Sequence, residues 1–543
     1  MRKTLASLLL CSLLAPACSK NADMAAVEAR RHVDETGAVA QSSGDRGRIG
    51  ADASAAVGSG ASTTVAMGSA TNGTVAYNQP ASPQAEQPST SDAFKNYGQN
   101  PWIDASKDNL STFAADVDTA SYTLARRMLN EGTLPPKAAI RVEEFVNYFS
   151  YSFPSPPGDS PFAVVMDAAP SPLSPGRHIL RVGVSTAAKS AQERKPANLV
   201  FLVDVSGSMS GEDRIGLAKK ALRILTANLI EGDTVSLVTY AGSTRVVLEP
   251  TGDKAKILSA LDDLQSGGST GMASGIDLAY QQAMKGLRPG RISRVIILSD
   301  GDANVGAHTH EEILKIIAGR VKEGVTLSTI GFGLGNYKDT TMEQLANKGN
   351  GNNFYVDSID AAKKVFQEQI GSTLEVVAKD AKFQVDFDPK MVARYRLVGY
   401  ENRDIADDSF RDDKVDAGEI GAGHQVTAMY EIELTAEGKQ SNAPLGGVRI
   451  RHKAPNAEKA TEAAFPMIGG VAASFANSSV DFRFAFATAA FADVLRGSTE
   501  SEHWSLADIR DMAKRAAGDD KDRRELVSLV ERTMQLTGRS AAR

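Results

Sequence analysis

The chain has 543 residues, 42% of them hydrophobic and 23% charged, which excludes a single small module and wholesale disorder and suits roughly three to four folded units. Lys and Arg number 60 against 66 Asp and Glu, a net charge of −6, and that balance excludes an electrostatic coat for nucleic acid or for an anionic membrane. Only two cysteines occur, Cys11 and Cys18, so disulfides, zinc–thiolate clusters and cysteine nucleophiles are excluded from everything downstream.

Arg2 and Lys3 precede the apolar stretch Leu5 to Leu14, and Ala15-Pro16-Ala17 leads into Cys18. This is the layout of a secretory signal peptide, residues 1–17, expected to be removed. The stretch is too short for a transmembrane span, and no later run reaches the roughly 18 consecutive apolar residues that one needs. A cysteine just past the cleavage point resembles a bacterial lipobox, in which the thiol is diacylated and becomes the new N-terminus. Cys18 is then a lipid anchor and the sole membrane attachment, and Ser19 behind it implies sorting to the outer membrane of a Gram-negative bacterium. Leu14 departs from that pattern, standing four residues before the cysteine where a leucine three before is usual. Simple secretion with an incidental thiol is the plain alternative. Residues 18–100 shift to Ala, Ser, Gly, Thr and Gln, so beyond the anchor a disordered tether is expected, and ~80 flexible residues span ~50 Å on average.

Ordered patterning begins near Trp102. Residues 101–160 read as a strand–helix segment: Ser111 to Asp118 as a strand, then helices over Ala120 to Leu129 and Ala138 to Phe149, closed by the breaker run FPSPPG. Phe162 to Ala168 and His178 to Val184 read as two strands. Over residues 196–374 strands and helices alternate at βαβ spacing, beginning with the continuous apolar run Asn198 to Val205 that suits a parallel sheet covered on both faces. Ile215, Ala218, Leu222, Leu225 and Leu229 then recur at steps of three and four, one apolar helical stripe. Further strands are expected at 234–240, 245–248, 294–298, 326–332 and 353–356, a doubly wound, mostly parallel α/β sheet. Residues 381–387, 393–399, 425–434 and 448–452 read as strands without helices between them, and helical patterning returns over 470–540.

Two strands alone are marginal in water and leave open edges. Residues 161–190 and 375–460 are therefore expected to join in one β-sandwich-like domain, with the α/β unit inserted between its halves.

In doubly wound sheets ligands bind at the carboxyl ends of strands, and three such ends are unusual here. Asp204-Val205-Ser206-Gly207-Ser208 closes the first strand, Gly267-Gly268-Ser269-Thr270-Gly271 is a glycine-rich loop carrying hydroxyls, and Ser299-Asp300-Gly301 follows the buried run VIIL. Hard oxygen donors of this kind suit Mg²⁺, with Mn²⁺ or Ca²⁺ as alternatives. With only two carboxylates offered, the cation would keep excess positive charge and an open position for an external carboxylate. The three elements, in this order, resemble the metal-ion-dependent adhesion site of von Willebrand factor type A domains. That resemblance implies that Ser206 and Ser208 bind the metal directly, that Thr270 joins or leaves with the liganded state, and that Asp204 and Asp300 bind directly or through water. A partner's Asp or Glu would complete the shell. The plain alternative is that these residues only cap helices and turns.

The resemblance extends along nearly all of the chain after residue 105. STFAADVDTASYTLARRMLNEGTLPP with IRVEEFVNYF, then SDGDANVG, then FDPKMVARYRLVGYENR are similar to the bacterial YfbK-type lipoproteins, which carry an N-terminal family segment, a von Willebrand A domain and a C-terminal family domain.

Other candidates have ordinary explanations. Asp116 and Asp118 with Thr119 and Ser121 suggest a second acidic metal cluster, yet Asp118 or Thr119 before an amphipathic helix is also an N-cap. His308 and His310 match no metalloprotease spacing, Asp302 can cap its loop or stand behind the cation, and Glu143 and Glu144 at a helix start suit the dipole. No nucleophile–base order, P-loop or dinucleotide fingerprint occurs, so an enzyme is not expected. The leading expectation is a metal-ion-dependent protein-binding module on the cell envelope, its partner an envelope protein presenting an acidic side chain, with no nucleic acid. The alternatives are a metal-assisted hydrolase and a structural envelope protein whose metal only stabilises the fold.

Overall fold

The computed structural model describes residues 94–538 except 191–192, 269–270, 302–309, 334–338, 369–373 and 456. The expected signal peptide, Cys18 and the expected tether as far as residue 93 lie outside the described residues, as do Thr270, Asp302 and His308. The last residues expected in the tether, 94–100, are instead packed on the folded body: Phe94 lies against the core that α1 shares with the α/β sheet, and the Asn100 amide donates to the Leu397 and Gly399 carbonyls at 3.1 and 2.7 Å.

The elements follow in chain order. Strands β1 (Ile103–Asp104) and β2 (Leu110–Ala114) lead to helices α1 (Ala120–Asn130) and α2 (Val142–Asn147), and then to β3 (Phe162–Pro170) and β4 (His178–Thr186). The α/β segment runs β5 (Ala197–Asp204), α3 (Leu217–Ala227), β6 (Thr234–Tyr240), β7 (Thr244–Thr251), α4 (Lys254–Asp262), α5 (Met272–Gly286), β8 (Ile292–Ser299), α6 (His310–Lys322), β9 (Val325–Gly331), α7 (Asp339–Lys348), β10 (Asn353–Tyr355) and α8 (Ile359–Lys363). After it come β11 (Val376–Phe387), β12 (Val392–Val398), β13 (Gly418–Gly421), β14 (Gln425–Leu434), α9 (Ala436–Gln440), β15 (Gly446–Lys453) and β16 (Thr461–Pro466). Helices α10 (Val480–Arg496), α11 (Leu506–Ala517) and α12 (Lys521–Thr537) close the described chain.

The central sheet has the order β10-β9-β8-β5-β6-β7, parallel except that β7 runs against β6. Every residue of β5 is buried. Its alternate side chains enter different cores: Leu199, Phe201 and Val203 join α3 and α4 on one face, while Val200 and Leu202 join α5 on the other. That is why the strand reads as an unbroken apolar run. The second core also takes Ala120 and Leu124 of α1. The N-terminal helix is thus part of the layer that covers the α/β sheet.

The strands on the two sides of the α/β segment are hydrogen-bonded to each other. β4 pairs antiparallel with β14, from Ser185 opposite Gln425 to His178 opposite Ile432, in a sheet of order β1-β12-β14-β4-β3. A further sheet runs β13-β11-β15-β16, with β2 also paired to β11. One apolar core draws on both sheets, with Phe162, Val182 and Tyr430 from the first and Phe113, Phe383 and Ile450 from the second. A separate aromatic core joins α1 and α2 to the C-terminal helices through Tyr122, Phe145, Phe149, Phe484 and Phe491.

Several elements differ from their sequence reading. The strand expected over Ser111 to Asp118 ends at Ala114. The helix expected from Ala138 is a single 3₁₀ turn, Lys137–Ala139, followed by extended Ile140 and Arg141 before α2 begins. The break is held from α1: the Ser121 hydroxyl donates to the Ala139 carbonyl at 2.6 Å and accepts from the Arg141 N–H at 2.9 Å. The strands β1, β13 and β16 are too short or too exposed to leave a period-two signal.

Candidate cation site

β5 and β8 are neighbours at the centre of the sheet, and β6 flanks β5 on the other side. Their carboxyl ends therefore open on one edge, at the point where the chain's crossovers change direction. Asp204 is the last residue of β5 and is fully buried. Its Oδ1 accepts the Ser206 N–H at 2.9 Å, and its Oδ2 accepts the Ser299 hydroxyl at 3.0 Å. Ser299 in turn accepts the Gly301 N–H at 3.0 Å, which fixes the turn that carries Asp300. The hydroxyls of Ser206 and Ser208 stand 2.9 Å apart. Asp300 is buried, and its charge acts on Asp204.

The glycine-rich loop is tied to this turn by two backbone bonds. Gly207 N–H donates to the Gly268 carbonyl at 3.0 Å, and Gly267 N–H donates to the Val205 carbonyl at 2.7 Å. Asp204, Ser206, Ser208 and Asp300 thus come together at one rim. Thr270 lies outside the described residues, although the glycines before it dock on the same turn.

Burial pushes the Asp204 carboxyl up to about 6, against the bonds from Ser206, and the charge of Asp300 adds to the rise. Two buried carboxylates beside paired hydroxyls are costly without a compensating charge. Among the described residues no group of three or more His, Cys, Asp or Glu side chains is placed to hold a metal. Any cation here would therefore depend on the serine hydroxyls as well as the carboxylates. The donors are all hard oxygens, and they fit a divalent cation of the Mg²⁺ class.

Two residues that the resemblance gives no role as ligands belong to this site: Ser299, inside the third element, and Arg214, outside all three. Ser299 orients Asp204, as above. Arg214 donates from Nη1 to the Ser208 carbonyl, and the same atom lies 3.7 Å from Asp300 Oδ2. Its sequence signal is slight: a basic residue in the polar stretch GEDRI after the serine turn.

The other acidic candidates prove to be structural. Asp116 and Asp118 are buried and are held by Arg403, whose Nε and Nη2 donate to them at 2.9 and 3.0 Å. Asp118 also accepts the Asn353 N–H at 2.8 Å, across to β10. Thr119 occupies the N-cap of α1 but makes no side-chain cap bond. Glu143 accepts the Tyr400 N–H at 2.9 Å, and His310 pairs with Gln344 at 2.7 Å.

Residues 198–368 match the von Willebrand factor type A domain. Residues 372–536 match a family described as uncharacterized protein YfbK, C-terminal, and residues 88–181 match one described as von Willebrand factor. The uncharacterized protein YfbK of Escherichia coli K12 is 37% identical over 465 residues, covering 81% of this chain and 80% of its own length. The uncharacterized protein sll0103 of Synechocystis is 27% identical over 213 residues, covering 39% of this chain and 50% of its own. Among solved structures, a von Willebrand factor type A protein from Catenulispora acidiphila aligns with a TM-score of 0.39 at 16% identity, covering 68% of this chain and 89% of that one.

Proposed function

The chain belongs to the YfbK family and carries a von Willebrand factor type A domain, a protein-interaction module, and from that premise we propose that it binds a partner protein through a divalent cation. Ser206 and Ser208 would hold Mg²⁺ or a similar cation directly, with Asp204, Asp300 and Thr270 around it. The bound cation would supply an open coordination position that accepts the Asp or Glu carboxylate of an envelope protein. The observation that carries this reading is the meeting of the Ser206 and Ser208 hydroxyls, 2.9 Å apart, with two buried carboxylates at the carboxyl ends of adjacent parallel strands.

An envelope location is supported by the layout of residues 1–18. Cys18 would be diacylated, anchoring the protein in the outer membrane, with the residues from there to 93 as the tether. Among the described residues no helix is long and apolar enough to cross a membrane. We read the two outer sheets as a sandwich-like platform for the α/β unit, and the site as a binding rather than a catalytic one, since none of its described residues is placed as a general base.

Two measurements test the reading. By calorimetry Asp300→Ala is expected to lose Mg²⁺ and Mn²⁺ binding at least tenfold while its melting temperature changes little, because the site lies at the sheet's rim. Pull-down from native envelope should capture a partner with Mg²⁺ and release it with chelator. Unchanged binding in that variant would dismiss the cation site, and chelator-driven loss of thermal stability alone would favour a structural metal. Cys18→Ser should release the protein from the membrane fraction; unchanged fractionation would dismiss the anchor.

A further inference from the structure

Arg214 is the described cationic side chain that reaches the rim of the site. It sits in a single π-type turn, Glu212–Gly216, between the serine turn and α3. Three contacts fix it. Its Nη1 donates to the Ser208 carbonyl and stands 3.7 Å from Asp300 Oδ2. On the other side it packs against Gly333, just after β9, which adopts φ +72; a Cβ there would fall 2.3 Å from the Arg214 Nε. Only a residue without a side chain leaves that space at that backbone angle. From behind, the neighbouring Asp213 is held by Arg127 of α1 at 2.7 Å. Arg127 also reaches the Tyr355 hydroxyl at 3.2 Å, and the adjacent Arg126 fixes α1 to the α/β segment through Asp357 at 2.5 Å.

The guanidinium therefore has a built seat beside the carboxylate that a cation would need. Its charge offsets part of the Asp300 charge. A cation entering the site must compete with it. We propose that Arg214 is a positioning and affinity-setting residue of the cation site: its fixed charge weakens the binding of a divalent cation, and α1 holds it there through Arg127 and Asp213. This inference rests on the cation-binding reading of the site and deepens it.

The test is Mn²⁺ titration of the whole protein, followed by calorimetry and by electron paramagnetic resonance of free Mn²⁺, over a series of ionic strengths. Arg214→Met should bind Mn²⁺ about three- to tenfold more tightly than the parent at low salt, the size expected of one partly screened charge. The gain should shrink as salt rises. Arg214→Lys, which keeps the charge, should stay close to the parent. Thermal melts of both variants establish that they are folded. If the parent binds Mn²⁺ and Arg214→Met binds it equally or more weakly, the affinity-setting role is overturned and Arg214 serves only to hold Ser208. If the parent itself binds no Mn²⁺, the cation site fails and this inference fails with it.

Discussion

Arg403, its side chain 11% exposed, stands between the buried Asp116 and Asp118, and these partners lie 287 and 285 residues away in the chain. Its Nη1 also donates to Asn347 of α7 at 3.1 Å, so one guanidinium joins the N-terminal segment, the α/β segment and the loop after β12. Burial and the charge of Asp116 push Asp118 well above the usual carboxylate range, while Arg403 opposes the rise. Removing one partner of a buried ion pair leaves the other uncompensated, at a cost of about 3–5 kcal/mol. Arg403→Met is therefore expected to destabilise the protein by roughly that amount in denaturant unfolding, with partial recovery when Asp116→Asn and Asp118→Asn are added. A loss below about 1 kcal/mol would mean the pairs are ornamental. Sequence alone could not distinguish this clamp from a metal cluster or a helix cap, because its decisive member is remote. Asp204, Ser206 and Ser208 were legible for the opposite reason: they lie within one turn of a strand end, where local spacing carries the chemistry.

At the scale of single elements, the apolar period placed the helices and the buried strands of the α/β segment well, since each must hide one stripe or two faces. Its failures have local causes. No hydropathy pattern shows that α2 must begin at Val142, because the break before it is made by Ser121, a residue of another helix. The close approach of α5 to the sheet is similarly hidden. Gly286 ends that helix where a Cβ would fall 2.1 Å from the Asn198 side chain, and Asn198 is committed, donating to the Ala283 carbonyl at 2.9 Å and to Ser293 at 3.0 Å. Alanine in place of a helical glycine gains up to about 1 kcal/mol from propensity. Overpacking a filled core costs about 1–3 kcal/mol, and here a buried amide would also lose its bonds. Gly286→Ala is accordingly expected to lower the melting temperature, whereas a neutral or raised value would show that the helix can lift away from β5.

Across the whole molecule, charge is buried where the segments meet, and this gives stability a pH dependence. Burial raises Glu143 from its ordinary 4.5 to about 8, helped by the charges of Glu401 and Asp116, and raises Glu144 to about 7 against the pull of Arg141. The folded state thus holds protons that the unfolded chain releases above about 4.5. Their contribution is complete below that value and is lost as pH rises through about 7 to 8. Thermal melts should show stability falling from about pH 4.5 to about pH 8 and levelling above it, and Glu143→Gln, which keeps an acceptor for the Tyr400 N–H, should flatten the fall. The sheets give the last expectation. β14 lies between β12 and β4, and β11 takes β2 on one edge and β15 on the other. A chain beginning at Val376 would keep β11 to β16 but lose β1 to β4, leaving β12, β14 and the second half of β11 with open edges. Such edges invite pairing between copies. The helices α10 to α12 would also lose Tyr122, Phe145 and Phe149, which fill their shared core. That shortened chain is expected to melt without cooperativity and to scatter light, whereas a chain from residue 94 should melt sharply. A sharp transition at the same temperature in both would show that the strands before the α/β segment are dispensable, and that the second half folds alone.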